Sequence, residues 1–235
     1  MAANFSGPIK EKAKAGKWNS GIPVDKNPDY VTFFDDFLSD STDDSVDTWT
    51  IVKDTGASVA PEPDELNGGV ELKSTATTDD DGASIQLTDE VFALESGKKL
   101  WYEAKFKVSD ADQMDVFAGL CENFATNPEA CLTSSNRVGF QIDDGGASIL
   151  CKSESGDTET SNDSGVDAAD DTYVTVGFKF DGGSSVEFYV NRALVATHTT
   201  NIPTANLTVA FMEVSGDASG TKEMVADYVF VCKER

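Results

Sequence analysis

The chain has 235 residues, 39% of them hydrophobic, and a formal net charge of −24. That length and apolar share suit one large β domain with its own core. The charge excludes nucleic-acid binding, which needs a basic footprint, and no run of about 18 apolar residues is present to cross a membrane as a helix.

Residues 1–30 differ from everything after them. Lys10, Lys12, Lys14, Lys17 and Lys26 stand against Glu11, Asp25 and Asp29, a net +2 that leaves −26 for the remainder. Pro8, Pro23 and Pro28, with Gly7, Gly16 and Gly21, break any regular element. Phe5, Ile9, Trp18, Ile22, Val24 and Tyr30 space apolar anchors along the segment, more than a disordered tail usually carries. An extended arm is predicted, lying on its own domain or on a neighbour. It has no apolar stretch of the secretory type, so folding in a cytoplasm is expected.

The domain is expected over residues 31–235. Residues 31–37 open it as a strand, and 39–47 form an acidic loop. Short strands follow at 49–52, 57–60, 70–73 and 83–87, separated by turn residues such as Asn67-Gly68-Gly69. Residues 100–108 alternate strictly. Leu100, Tyr102, Ala104, Phe106 and Val108 face one way, and Trp101, Glu103, Lys105 and Lys107 the other, as a period of two requires in a strand. Residues 116–121 are apolar on both faces and read as a central strand. A long loop over 122–136 leads to 137–142, with Val138, Phe140 and Ile142 inward. Asp143-Asp144-Gly145-Gly146 then turns the chain into 149–152. Residues 153–171 are the most polar stretch of the chain.

Residues 173–199 carry the clearest pattern. Val174, Val176, Phe178 and Phe180 share one face, and so do Val186, Phe188 and Val190. Asp181-Gly182-Gly183-Ser184 and Asn191-Arg192 supply the turns. Three antiparallel strands this close form a meander that needs a second sheet to cover it. Strands at 207–214 and 224–232 close the domain. Short strands punctuated by turns at this spacing predict an all-β, antiparallel two-sheet jelly-roll sandwich.

Phe188-Tyr189-Val190-Asn191, a tight turn, then Leu194-Val195-Ala196-Thr197 resembles the late hairpin of concanavalin A-like (laminin G-like) β-sandwiches. Glycine usually occupies the turn position held here by Arg192. The opening Phe33-Phe34-Asp35-Asp36-Phe37 is similar to the start of laminin G-like domains, where the first strand pairs with the last. The resemblance covers residues 33–235.

The residues offer little catalytic chemistry. His198, the sole histidine, cannot make a metal triad, and no Gly-x-Ser-x-Gly elbow supplies it with a nucleophile. Glycoside hydrolases need two carboxylates about 5–9 Å apart. In retaining glucanases of the resembled fold these lie in a Glu-x-Asp-x-(x)-Glu run, which this sequence lacks; Glu90 to Glu95 has no central Asp. The acidic clusters 79–82 and 143–145 offer hard oxygen ligands but have no EF-hand spacing, and they read as turns. No metal or cofactor is expected. Cys121, Cys131, Cys151 and Cys232 lack metal-ligand spacing. Cys121 and Cys131 bracket a loop and would pair if oxidised, while four buried thiols suit a reducing compartment.

An acidic sandwich with an anchored arm and no catalytic constellation reads as a non-enzymatic interaction protein. In arrangement it resembles the capsid decoration (cement) proteins of tailed bacteriophages. That resemblance implies a virion location on the capsid exterior, a homo-oligomer such as a trimer, and the major capsid protein as partner. Phe5, Ile9, Lys10, Lys12, Lys14, Lys17, Trp18 and Ile22 are the expected partner-binding residues. The alternative is a carbohydrate-binding, lectin-like module that stacks sugars on the outward aromatics Trp101 or Tyr189, which equally suit an interface. A glycoside hydrolase is a distant third.

Overall fold

The structure is a computed structural model that describes residues 29–38, 48–62 and 68–235. Fifteen strands and one 3-10 turn make up these residues. In chain order they are β1 (Tyr30–Asp35), β2 (Trp49–Lys53), β3 (Ser58–Pro61), β4 (Val70–Lys73), β5 (Gly82–Leu87), β6 (Leu100–Val108), β7 (Met114–Cys121), the turn Pro128–Cys131, β8 (Asn136–Ile142), β9 (Ser148–Ser155), β10 (Glu159–Asp167), β11 (Val174–Phe180), β12 (Val186–Val190), β13 (Ala193–His198), β14 (Thr208–Ser215) and β15 (Glu223–Glu234).

They form two antiparallel sheets, as the alternation predicts. One has eight strands in the order β13-β12-β11-β6-β15-β4-β3, with β1 also paired to β15. The other has seven, in the order β10-β9-β8-β7-β14-β5-β2. The first strand does pair with the last, Phe33 opposite Val231 and Tyr30 opposite Glu234.

The inward residues of both sheets meet in one core, because alternate side chains of each strand point the same way. Every residue of the expected inward faces of β6, β8, β11 and β12 belongs to it. Tyr102 stacks on Phe178 with ring centroids 4.9 Å apart, and Phe140 meets Phe188 edge-on at 5.6 Å. Trp49 sits under β14 beside Phe211 and donates its indole N–H to Asp35 Oδ2 at 2.8 Å.

One strand goes beyond the sequence reading, and one expected turn shows its type only in the structure. β10 lies within the most polar stretch, where the sequence pattern assigns no element. It is an edge strand, paired only with β9, and most of its residues are exposed. An edge strand open to water on its outer side needs no apolar alternation, so periodicity does not reveal it. The β12–β13 turn has positive φ at both central residues, 49° at Asn191 and 65° at Arg192. This is the mirror-image turn whose twist matches a hairpin, and arginine occupies a position where glycine would be relaxed.

Candidate functional site

The two outer faces of the sandwich are finished differently. On the seven-stranded sheet, the segment from Glu122 to Ser135 folds back over the middle strands. Phe124 and Cys131 pack with Phe117, Cys121, Ala210 and Met212 in a second apolar cluster. The Gln86 side chain holds this flap by bonding both the backbone C=O and, at 3.1 Å, the N–H of Phe124. Gly119 and Gly139 lie beneath the Phe117 ring, where a Cβ on either would approach it to 2.9 and 3.1 Å and meet backbone closer still.

Arg137 clamps the other side of the same face. Its guanidinium donates to Glu154 at 2.8 Å, Glu159 at 2.6 Å, Gln141 at 2.9 Å and the Cys131 carbonyl at 3.3 Å. Lys152 adds a 3.0 Å bond to Glu159. Glu154 and Glu159 are opposite one another on β9 and β10. They are therefore two neighbouring carboxylates, as a glycosidase requires, yet charge-assisted bonds from Arg137 and Lys152 occupy them. This pair is a clamp joining three strands and the flap.

On the eight-stranded sheet, Trp101 and Tyr189 face outward as predicted but are only 3% and 8% exposed. Tyr30, Phe230 and Cys232 pack with them, and the Tyr30 and Trp101 rings lie 6.5 Å apart. Neither offers a bare ring to a sugar, which corrects their expected role as exposed glycan-stacking aromatics. The arm residues Phe5, Ile9, Lys10, Lys12, Lys14, Lys17, Trp18 and Ile22 lie outside the described residues.

Beside this cluster a stripe crosses the sheet from β1 through β15, β6 and β11 to the β12–β13 turn. Four inter-strand steps make it about 19 Å long. Phe34 is 58% exposed and lies 6.3 Å from the Tyr228 ring. Tyr228 donates its hydroxyl to Glu103 Oε1 at 2.8 Å. Burial and then the Glu103 charge hold that phenol well above its ordinary pKa, so it remains a proton donor. Arg192 reaches Glu103 at 3.5 Å, and Lys105 pairs with Asp227 while its ammonium lies 4.3 Å over the Tyr173 ring. Lys105, Thr175, Asn191, Arg192 and Tyr228 line an open depression of about 450 Å³. The sequence reading placed Lys105 outward and noted Arg192 in its turn, but did not bring them together. Their strands are adjacent only through pairings that join distant parts of the chain.

The sole histidine and the four cysteines are internal. His198 is buried, with Nδ1 2.8 Å from Ser153 Oγ, and burial lowers its pKa to about 4 despite the nearby Glu159. Ser153 has no exposed surface, so the pair ties β13 to β9 and presents no nucleophile. All four cysteines are free and buried, and burial raises the Cys121 and Cys131 thiols. Asp81 accepts from the Thr75 backbone and hydroxyl, and Asp143 from Gln141. Among the described residues no group of three or more His, Cys, Asp or Glu side chains is placed to hold a metal.

Glu213 is fully buried on β14, and its carboxyl makes no hydrogen bond of ordinary geometry, with Ser74 its nearest polar neighbour. Nearby Ser74 is engaged with the Lys222 backbone. Burial raises the Glu213 pKa well above the ordinary carboxylate value of 4.5, so the folded chain keeps a proton that the unfolded chain releases. Stability from this group is therefore greatest below about pH 4.5 and falls as pH rises from there toward the folded value. Glu213→Gln, which needs no such proton, is expected to match the parent near pH 4.5 and to become progressively more stable than it as pH rises to 8. Urea unfolding at both pH values checks this, and an equal difference at both would refute it.

The sequence matches the family model "SO2946-like, C-terminal domain" over residues 66–226. The chain belongs to the SO2946-like family. The structure of SO2946 from Shewanella oneidensis MR-1, a protein of unknown function, is similar at a TM-score of 0.62 and 16% identity, covering 87% of each chain. An endo-1,3-β-glucanase from Streptomyces sioyaensis is similar at a TM-score of 0.64 and 14% identity, over 91% of this chain and 99% of that one. An endo-β-1,4-glucuronan lyase from the fungus Trichoderma reesei is similar at 0.61 and 13%, over 85% and 94%. No curated protein matches the sequence.

These similarities establish a concanavalin A-like jelly roll for this SO2946-like chain. They overturn the expectation that it is not an enzyme, since a glucanase and a lyase share its fold along most of its length. The resemblance in arrangement to capsid decoration proteins gains no support from them.

Proposed function

We propose that the chain is a carbohydrate-active protein that engages a polysaccharide on the outer face of its eight-stranded sheet. The observation that carries this reading is the stripe itself. It combines the exposed ring of Phe34 with the half-buried Tyr228 and an open depression lined by Asn191, Thr175, Arg192 and Lys105. Sugar rings present C–H faces that stack on aromatic rings and hydroxyl edges that hydrogen-bond to polar side chains. The opposite face has its middle strands under the flap and its outer carboxylates in a clamp. The glucanase and glucuronan lyase that share the fold support a β-linked glucan or glucuronan as ligand. Tyr228, held by Glu103 next to two cations, adds to the groups that can hydrogen-bond the hydroxyl edges of a bound glycan.

The test is affinity electrophoresis in β-1,3-glucan, mixed-linkage β-glucan and glucuronan, with reducing-end and unsaturated-product assays on the same samples. At least one polysaccharide is expected to retard the protein, and Phe34→Ala with Tyr228→Ala to weaken that binding about ten-fold or more. Absence of both retardation and turnover across the panel would remove the reading.

A further inference from the structure

We infer that Arg192 and Lys105 form a subsite for a sugar carboxylate, so that the preferred ligand is an anionic, uronate-containing glycan. This rests on the glycan reading above and deepens it. Three observations carry it.

The first is the backbone of Arg192. It holds φ at 65° in the second position of the β12–β13 turn, where a side chain is disfavoured and glycine is relaxed. Strain retained at a residue facing a depression points to a use for its side chain. The second is how loosely that side chain is held. It is 65% exposed, and its ion pair with Glu103 is long, at 3.5 Å. Glu103 is itself engaged by the Tyr228 hydroxyl. A guanidinium has five N–H donors in a planar fork that matches a carboxylate, and beyond Glu103 and the neighbouring Tyr228 hydroxyl it keeps donors for a ligand.

The third is where the cations gather. Acidic residues outnumber basic ones 42 to 18 in this chain. Even so, Arg192 and Lys105 line one depression, Lys105 also pairing with Asp227, and Lys107 joins Lys105 over the Tyr173 ring at 5.0 Å. A neutral sugar is satisfied by stacking and uncharged hydrogen bonds. Convergent cations next to an aromatic platform add what a carboxylate on the ring requires. The acidic body repels a long polyanion, but at physiological salt that repulsion is screened beyond about 8 Å, while contacts within the depression are not.

The experiment is calorimetric titration of the full chain with two tetrasaccharides of the same linkage, β-1,4-glucuronate and β-1,4-glucose, in physiological salt. The glucuronate ligand is expected to bind about ten-fold tighter or better. Arg192→Gly should abolish that preference while raising Tm by about 1–4 °C, because the turn relaxes. Lys105→Gln should weaken the glucuronate ligand by a larger factor than the neutral one. Equal or tighter binding of the neutral ligand would overturn the subsite and leave the glycan reading standing. A glucuronate preference that survives both substitutions would likewise overturn the assignment to Arg192 and Lys105. Failure of both tetrasaccharides and of the polysaccharide panel would sink the two readings together.

Discussion

Phe178→Ala should lower the free energy of unfolding by about 3–5 kcal/mol. Phe178 lies in the middle of β11, between β6 and β12, and has no exposed surface. Its ring stacks on Tyr102 at 4.9 Å with an interplanar angle of 8°, and meets Phe188 at 6.1 Å. Truncation removes the transfer free energy of a whole ring. It also leaves a cavity bounded by strands that are hydrogen-bonded on both sides, so the walls cannot collapse inward to fill it. Denaturant unfolding monitored by tryptophan fluorescence measures the loss, and a value below about 1 kcal/mol would show that the stack contributes little to the core. The exposed Phe34→Ala is the control, with an expected change within about 0.5 kcal/mol.

Arg137→Ala should be comparably costly, about 3–5 kcal/mol, for a different reason. The guanidinium is buried, and its donors serve two carboxylates, one amide and one carbonyl. Removing it leaves Glu154 and Glu159 facing each other across β9 and β10 with only Lys152 between them and water. It also frees the flap carbonyl of Cys131. Most of the loss is therefore the cost of uncompensated charge, and Arg137→Met in a background of Glu154→Gln and Glu159→Gln should recover the larger part of it. Urea melts of the single, double and triple variants test this. A single-variant loss under about 1 kcal/mol would mean the clamp is energetically neutral. An unrecovered triple variant would mean that the flap contact, and not charge, carries the effect.

Local pattern reached far in this chain because a strand's period of two depends only on the strand. The faces of β6, β8, β11 and β12 follow from alternation, and so do the meander and the pairing direction. The outward direction of Trp101 and Tyr189 was legible in the same way, yet their loss of exposure was not. It depends on Tyr30 and Phe230, which reach them only after β1 pairs with β15. β10 escaped notice because an edge strand facing water carries no apolar signal.

The sequence by itself determined an acidic, all-β, two-sheet domain, its inward faces, and a hairpin closed by Asn191 and Arg192. Those are properties of neighbours in the chain, set by sterics and by which side chains water excludes. Only the tertiary structure decided which carboxylates are clamped, which outer face carries the flap, and which residues line the depression. Lys105, Arg192 and Tyr228 come from β6, a turn and β15, and their proximity is a consequence of strand order. Strand order is chosen by the whole core at once, since many orders satisfy the same alternation and only one packs both sheets without voids.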